Sequence, residues 1–200
     1  MSSRSAGVFL VAAALLFWLA WWLMPAVGIT DTREIFEHVA AEAGRVRASV
    51  IVQLVSAACW APAAIGIARL PAASAHPSMV AGAVLLAIGA MGSAADAVLH
   101  LLAVEMVAPG VDRAAMIPVM ERMQGPNLAL LGPLIAALFA GTLVLAIGAG
   151  RAGLLPRRIF WPLVASALPA LTLGGGLALL AVVAASQVWL GVALARSPRP

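Results

Sequence analysis

Apolar residues fill this chain in long runs that short polar segments separate. The first run covers residues 8–27, and further runs cover residues 49–70, 79–107 and 128–148. About 20 consecutive apolar residues in a helix are enough to cross the hydrocarbon core of a bilayer. The pattern therefore predicts a membrane-spanning helix at each of these four runs.

The last apolar stretch, residues 159–195, contains no charged residue. It is too long for a single span, because a helix rises about 1.5 Å per residue. Three consecutive glycines, residues 174–176, lie near its middle and favour a tight turn. We therefore predict two spans here, at about 159–173 and 177–195. This makes six spans in total, and five spans are the alternative.

The longest polar segment near the start of the chain, residues 31–46, predicts a helix lying along the membrane surface. Asp31 stands three positions before Glu34, which is a variant of the capping box found at helix N-termini. Apolar residues then recur at helical spacing and charged residues fill the opposite face, as in interfacial amphipathic helices. The predicted fold class is all-α: one domain over residues 1–200, a polytopic integral membrane helical bundle plus this surface helix.

Composition supports a lipid environment for most of the chain. It is 64% hydrophobic and 10% charged, whereas soluble domains are about 45–50% apolar and about 25% charged. The basic residues are all arginines, scattered between apolar runs and not clustered as in a nucleic-acid interface, so we expect no nucleic-acid partner. The single cysteine, Cys59, excludes an intrachain disulfide and any cysteine-based metal motif.

Arginines are divided unevenly between the two sides of a six-span topology. One side receives no acidic residue and these arginines: Arg4, Arg69, Arg151, Arg157, Arg158, Arg196 and Arg199. The positive-inside rule places that side, with both chain termini, in the cytoplasm of a bacterial inner (plasma) membrane. A cleavable signal peptide is the alternative for the first run, because Arg4 precedes it and residues 26–28 fit a small-x-small cleavage site.

The order of short motifs carries a family resemblance. A first span is followed by Thr-Asp-Thr at residues 30–32, Arg47 leads into the second span, and that span ends in Ile-Gly-Ile-Ala-Arg-Leu at residues 65–70. This order resembles a bacterial family of small six-span membrane proteins known as domain of unknown function 4386. The resemblance implies a six-span topology and no particular chemistry, because the activity of that family is unassigned.

The third span carries the candidate functional residues. Ser93, Asp96 and His100 share one helical face, and the last two are four residues apart, so their side chains can interact directly. Ionisable groups at membrane depth are costly and usually face a partner or a cavity. Polar residues predicted at a similar outer depth complete a ligand-binding set: Gln53, Ser56, Glu105 and Asn127.

Several interpretations of this polar cluster are open at the level of sequence. The cluster can simply fasten helices together, or it can form an outward-facing pocket of a binding protein or complex subunit, which we favour. A membrane-embedded enzyme would use Asp96 and His100 as an acid–base pair on a lipid-like substrate. A haem or metal site would use His100 with His38 or Asp96, although no tight ligand motif is present. The cofactor is unassigned, and the expected partners are the bilayer and a protein partner or a second copy.

Glycines are the remaining informative feature of the third span. Gly82, Gly89 and Gly92 are small enough to let a neighbouring helix approach closely. We therefore expect this span to pack tightly against another helix through these positions.

Overall fold

The computed structural model describes residues 2–155 and 177–196, without the side chains of residues 126–128 and 177–179. These residues form helices, and no strand occurs among them, which confirms the all-α bundle. Four of the helices are long and apolar enough to cross a membrane. The predicted span at 159–173 lies outside the described residues.

The described helices are bounded as follows: α1 Ser3–Leu23, α2 Thr32–Ala41, α3 Ala43–Ala68, α4 Pro71–Ala75, α5 Pro77–Met106, α6 Arg113–Arg122, α7 Leu128–Arg151 and α8 Leu177–Arg196. A π-helical turn, Met123–Asn127, joins α6 to α7. The four helices that are long and apolar enough to span are α1, α3, α5 and α7, and α8 contains a shorter apolar helix.

The first helix begins and ends earlier than the predicted range 8–27. At its start, the Ser2 hydroxyl accepts a hydrogen bond of 3.1 Å from the backbone N–H of Ser5 and caps the first turn. At its end, Pro25 cannot continue the hydrogen-bond ladder, and Ala26 has a left-handed backbone with φ 63°. The helix therefore stops at Leu23, and the chain turns away from it.

The predicted surface helix at 31–46 is divided between two helices. Asp31 caps α2 as expected, because its carboxylate accepts a hydrogen bond of 2.9 Å from the backbone N–H of Glu34. The helix ends at Ala41, and Glu42 interrupts it with φ −123° and ψ 31°. Residues 43–46 already belong to α3, since Val46 is buried in the bundle and draws this turn inward.

Serine hydroxyls join α1 to α3. The Ser49 and Ser56 hydroxyls donate hydrogen bonds of 2.7 Å to the backbone carbonyls of Ala20 and Ala13, respectively. A residue later in α3 thus meets a residue earlier in α1, so the two helices are antiparallel. In the same way, Gln53 meets Ser93 and Arg47 meets Glu105, which makes α3 and α5 antiparallel.

Glycines bring α5 against α7, as the sequence predicted. A Cβ atom on Gly82 would lie 2.6 Å from the backbone nitrogen of Leu145, and one on Gly89 would lie 2.5 Å from Cα of Leu138. Gly92 approaches α7 with the same closeness. Contacts this short leave no room for a side chain, so the backbones touch directly along an antiparallel helix pair.

The last described helix, α8, packs on α1 through a similar contact. A Cβ atom on Gly7 would lie 2.8 Å from the backbone nitrogen of Ala195, so the end of α8 meets the start of α1. It follows that α7 and α8 run in the same direction. One end of the bundle carries the described arginines that the sequence analysis assigned to the cytoplasmic side, and we call it the arginine end: Arg4, Arg69, Arg151 and Arg196.

The opposite end of the bundle carries the acidic residues, and we call it the acidic end. Here α1 and α5 end and α3 and α7 begin, and α2 packs against α6. Every acidic residue except Asp96 lies at this end: Asp31, Glu34, Glu37, Glu42, Glu105, Asp112 and Glu121. Asp96 stands apart because it lies within α5, more than two turns before the end of that helix.

Candidate ligand cavity

The polar face of α5 meets one glutamine of α3. The Nε2 amide of Gln53 donates to a carboxylate oxygen of Asp96 at 3.0 Å, and it lies 3.2 Å from the carbonyl oxygen of Ser93. Gln53 and Ser93 are both buried. The structure therefore brings together three of the residues that the sequence singled out. Because the Gln53 amide lies between the Asp96 carboxylate and the Ser93 carbonyl, it holds α3 to α5 at this level of the bundle.

His100 lies one turn further along α5, toward the acidic end. Its Nδ1 atom is 3.7 Å from Oδ2 of Asp96, which is too long for a hydrogen bond. The two side chains form an ion pair only when the imidazole is protonated. Nδ1 is buried and has no hydrogen-bond partner, while the side chain as a whole is 24% exposed.

Trp21 of α1 positions the histidine from the other side. The two rings meet edge to face, with centroids 5.7 Å apart and an interplanar angle of 89°. The indole Nε1 of Trp21 is buried and has no hydrogen-bond partner. A buried donor without a partner costs about 1–3 kcal/mol. Trp21 and His100 thus each carry a buried ring nitrogen without a hydrogen-bond partner, and their two rings are in contact.

A cavity of about 600 Å³ adjoins Asp96 and His100. This volume is in the range of small-molecule sites, which are about 300–1,000 Å³. Most of its wall is apolar, and the larger apolar side chains include Trp21, Ile35, Met120, Ile135 and Phe139. Among the wall residues that the structure describes, Asp96 and His100 are the only ionisable ones, and Gln124 adds an amide.

Segments at the acidic end cover this cavity. The chain between α1 and α2, residues 24–29, forms part of the wall together with Ile35 and Val39 of α2. The Thr32 hydroxyl donates to the Gln124 amide oxygen at 3.3 Å, which ties α2 to the π-helical turn. The cavity therefore lies near the acidic end, where α2 and the chain that precedes it form part of its wall.

Four predicted site residues do not belong to the cavity wall: Gln53 and Ser93, which contact Asp96 from within the α3–α5 pair, and Ser56 and Glu105, which lie further away. Ser56 is buried in the contact of α3 with α1, where it bonds to the backbone of Ala13. Glu105 has a side chain that is 61% exposed, and it lies 3.5 Å from Arg47 across the surface of the α3–α5 pair. The side chain of Asn127 is outside the described residues, so the position of its amide relative to the cavity stays a prediction.

Histidines do not gather into a metal site in residues 2–155 and 177–196. No group of three or more His, Cys, Asp or Glu residues that could hold a metal ion is present there. His38 has a side chain that is 45% exposed, with Nε2 4.0 Å from Glu34, and it is not part of the cavity wall. His100 has Asp96 as its ionisable neighbour. Metal ligation by His100 with His38 therefore lacks a convergent third donor in this part of the chain.

A second buried polar group of residues, a hydrogen-bond network, lies nearer the arginine end. The indole N–H of Trp60 donates to the Gln187 amide oxygen at 2.9 Å, and the Gln187 amide nitrogen donates to the Thr142 hydroxyl at 2.8 Å. Thr142 in turn donates to the carbonyl of Leu138 at 2.8 Å. The network joins α3, α8 and α7, and each of its three donor atoms makes a hydrogen bond. It fastens helices and lies outside the cavity wall.

Sequence reasoning missed Trp21 as a site residue. Its neighbours Trp18 and Trp22 are exposed, so the cluster resembled an interfacial tryptophan belt, which does occur at span ends. The available signal was the helical position of Trp21, which is seven residues from the buried Ala14 and shares its face. The hydrogen-bond network of Trp60, Gln187 and Thr142 had a clearer sequence signal, because Gln187 and Thr142 are polar residues within otherwise apolar helices.

Together, these features define a polytopic helical membrane protein with an apolar cavity whose wall carries an Asp–His pair. No family model matches the chain, and no curated protein or solved structure matches it significantly. Since a fold alone does not define an activity, the function has to be inferred from the cavity itself.

Proposed function

We propose that this protein binds a small molecule in the cavity beside Asp96 and His100, as a binding or accessory protein of the bacterial plasma membrane. The observation that carries the proposal is an apolar cavity of about 600 Å³ with one ionisable pair in its wall. A large apolar pocket with a few convergent polar groups is the usual form of a ligand site.

Six crossings, with both termini in the cytoplasm, are the topology we propose. Consecutive crossings alternate in direction, whereas α7 and α8 run the same way, which supports the further crossing predicted at 159–173. The arginine end would face the cytoplasm under the positive-inside rule. The cavity, which lies near the acidic end, would then open toward the outer side of the membrane. Membership of the six-span family would imply the same topology, and that membership stays a prediction.

Large apolar side chains on the outside of the bundle support contact with lipid. Exposed fractions reach 62% at Ile51, 69% at Met91 and 76% at Leu130. Surfaces of this kind are unfavourable in water and match the acyl chains of a bilayer. Protein partners, or a second copy of the chain, would use the same faces through close helix packing.

Binding is favoured over catalysis by the composition of the cavity wall. The described wall contains no serine, threonine or cysteine, so no nucleophile of these types stands beside His100. The second candidate is an enzyme that uses His100 as a general base on a lipid-like substrate. It is favoured by the carboxylate 3.7 Å from the imidazole, because such a carboxylate can orient a catalytic histidine.

Filling the cavity tests the proposal directly. Gly132 belongs to the wall, and a Cβ atom there would meet nothing within 4 Å. Gly132→Phe should therefore place a ring in the cavity without a backbone clash. Gly44→Phe is the matched control, because Gly44 is equally open but is exposed and outside the wall.

The measurement is calorimetric titration of the full chain, in phosphatidylcholine nanodiscs, with 2-naphthylethanol as a neutral apolar probe. We expect saturable binding above the empty-nanodisc background for the wild type and for Gly44→Phe, and its loss in Gly132→Phe. Binding that persists in Gly132→Phe would place the probe elsewhere and contradict the proposal. No saturable binding to the wild type of this probe or of its charged analogues would contradict it as well.

A further inference from the structure

The charge of the cavity wall is unbalanced. The Asp96 side chain is only 15% exposed, and it accepts a hydrogen bond from the neutral amide of Gln53. No arginine belongs to the described wall. A carboxylate held away from water is unfavourable unless a cation or several donors satisfy it. One amide donor is a weak counterpart for a full negative charge.

His100 is poorly placed to neutralise this carboxylate. Its Nδ1 atom is 3.7 Å from Asp96 and makes no hydrogen bond. Buried ion pairs are favourable only with close, well-aligned hydrogen bonds, and this geometry lacks them. Asp96 therefore contributes to the cavity wall a carboxyl group that no described residue engages in a close, aligned ion pair.

The rest of the wall is suited to a cation that has an apolar body. Trp21 and Phe139 offer aromatic rings, whose faces attract ammonium groups. Met24 and Met120 supply flexible, polarisable side chains that adapt to apolar ligands of irregular shape. An anionic headgroup would meet the Asp96 carboxylate in a wall whose described part contains no arginine to bind it.

From this charge complementarity we propose that the ligand is a lipophilic organic cation: an apolar molecule that carries one protonated amine. Its ammonium group lies beside Asp96, and its body lies among the aromatic and methionine side chains. This inference rests on the proposed function, because it names the class of molecule that the same cavity takes.

Three probes with one ring system and different headgroups test the charge preference: 2-naphthylethylamine, 2-naphthylethanol and 2-naphthylacetate. Each is titrated into the full chain in phosphatidylcholine nanodiscs at neutral pH, with empty nanodiscs as the background. We expect the amine to bind about 10-fold or more tightly than the alcohol, because a hydrogen bond to a charged group contributes that much. The acetate should bind more weakly than both.

Asp96→Asn removes the charge and keeps an oxygen that can accept from Gln53. In this variant, the preference for the amine over the alcohol should fall to within about 3-fold, the scatter expected for matched neutral contacts. Glu105→Gln is the control on the same helix, because Glu105 is exposed and pairs with Arg47 outside the cavity. Its preference should equal that of the wild type.

The outcomes separate the two proposals. If the alcohol binds the wild type as tightly as the amine, and Gly132→Phe abolishes both, the cation inference is wrong and the binding cavity stands. If the amine preference persists in a folded Asp96→Asn, the cation inference is also wrong. If no probe binds the wild type, the proposed function itself fails. The wild-type comparison needs no variant, so a poorly folded Asp96→Asn does not remove the test.

Discussion

Replacing Gly89 by alanine should weaken the α5–α7 pair, whose backbones are in close contact at this position. The added Cβ atom would lie 2.5 Å from both the Cα and the backbone nitrogen of Leu138. Ordinary van der Waals contact begins near 3.4 Å, so the two helices would have to move apart by about 1 Å. Because the clash is with backbone atoms, rotation of a side chain cannot relieve it.

The expected cost follows from this geometry. Overpacking a close-packed core costs about 1–3 kcal/mol, and a clash between backbones belongs at the upper limit. Alanine has a better helix propensity than glycine by about 1 kcal/mol, which offsets part of that cost. The net destabilisation of Gly89→Ala should therefore be about 2 kcal/mol. For a chain of this size it corresponds to a decrease in Tm of about 4–8 °C.

Thermal unfolding of the purified protein in a mild detergent, followed by tryptophan fluorescence, measures the effect. Gly132→Ala is the matched control on α7, since its Cβ atom would meet nothing within 4 Å. Its Tm should be unchanged or slightly higher. Equal Tm values for Gly89→Ala and Gly132→Ala would refute the close backbone contact on which the reasoning depends.

Two further predictions concern the polar groups inside the bundle. Gln187→Leu should lower stability by about 1–2 kcal/mol, because it leaves the buried indole N–H of Trp60 without an acceptor; an unchanged Tm in detergent would contradict this role. Asp96→Asn should change stability by less than about 1 kcal/mol, since asparagine can still accept from Gln53, and His100→Ala should cost about 1–2 kcal/mol through the lost ring contact with Trp21 and leave the protein folded. Loss of folding in both variants, judged by size-exclusion chromatography, would mean that the pair fastens helices instead of serving a cavity.

The positions of the spanning helices could be predicted from the sequence because the bilayer imposes a local rule. About 20 apolar residues are needed for each crossing whatever the helix packs against, so α3, α5 and α7 fall close to their predicted ranges. Local chemistry also determined the Asp31 cap of α2, since its partner is only three residues away. Gly82 and Gly89 indicated the packed face of α5, because small residues matter only where another backbone approaches.

Boundaries were less predictable where apolarity continues past the helix. Residues 24–27 are apolar, yet α1 ends at Leu23 because Pro25 and the left-handed Ala26 turn the chain into the cavity wall. An apolar pattern does not distinguish lipid-facing helix from an apolar loop that lines a cavity. The helix at 31–46 was divided for a related reason: Val46 is buried by its neighbours in the bundle, and no local signal marks that change.

The arrangement of the polar groups was decided by tertiary structure alone. Gln53 and Ser56 are three residues apart on α3, and the sequence assigned both to one site. Because α3 lies between α1 and α5, Ser56 bonds to α1 while Gln53 turns to Asp96. The edge contact of Trp21 with His100 depends on how α1 meets α5 at one depth. Apolar periodicity thus determines which segments enter the membrane, and only the packing of neighbouring helices determines which polar side chains share a cavity.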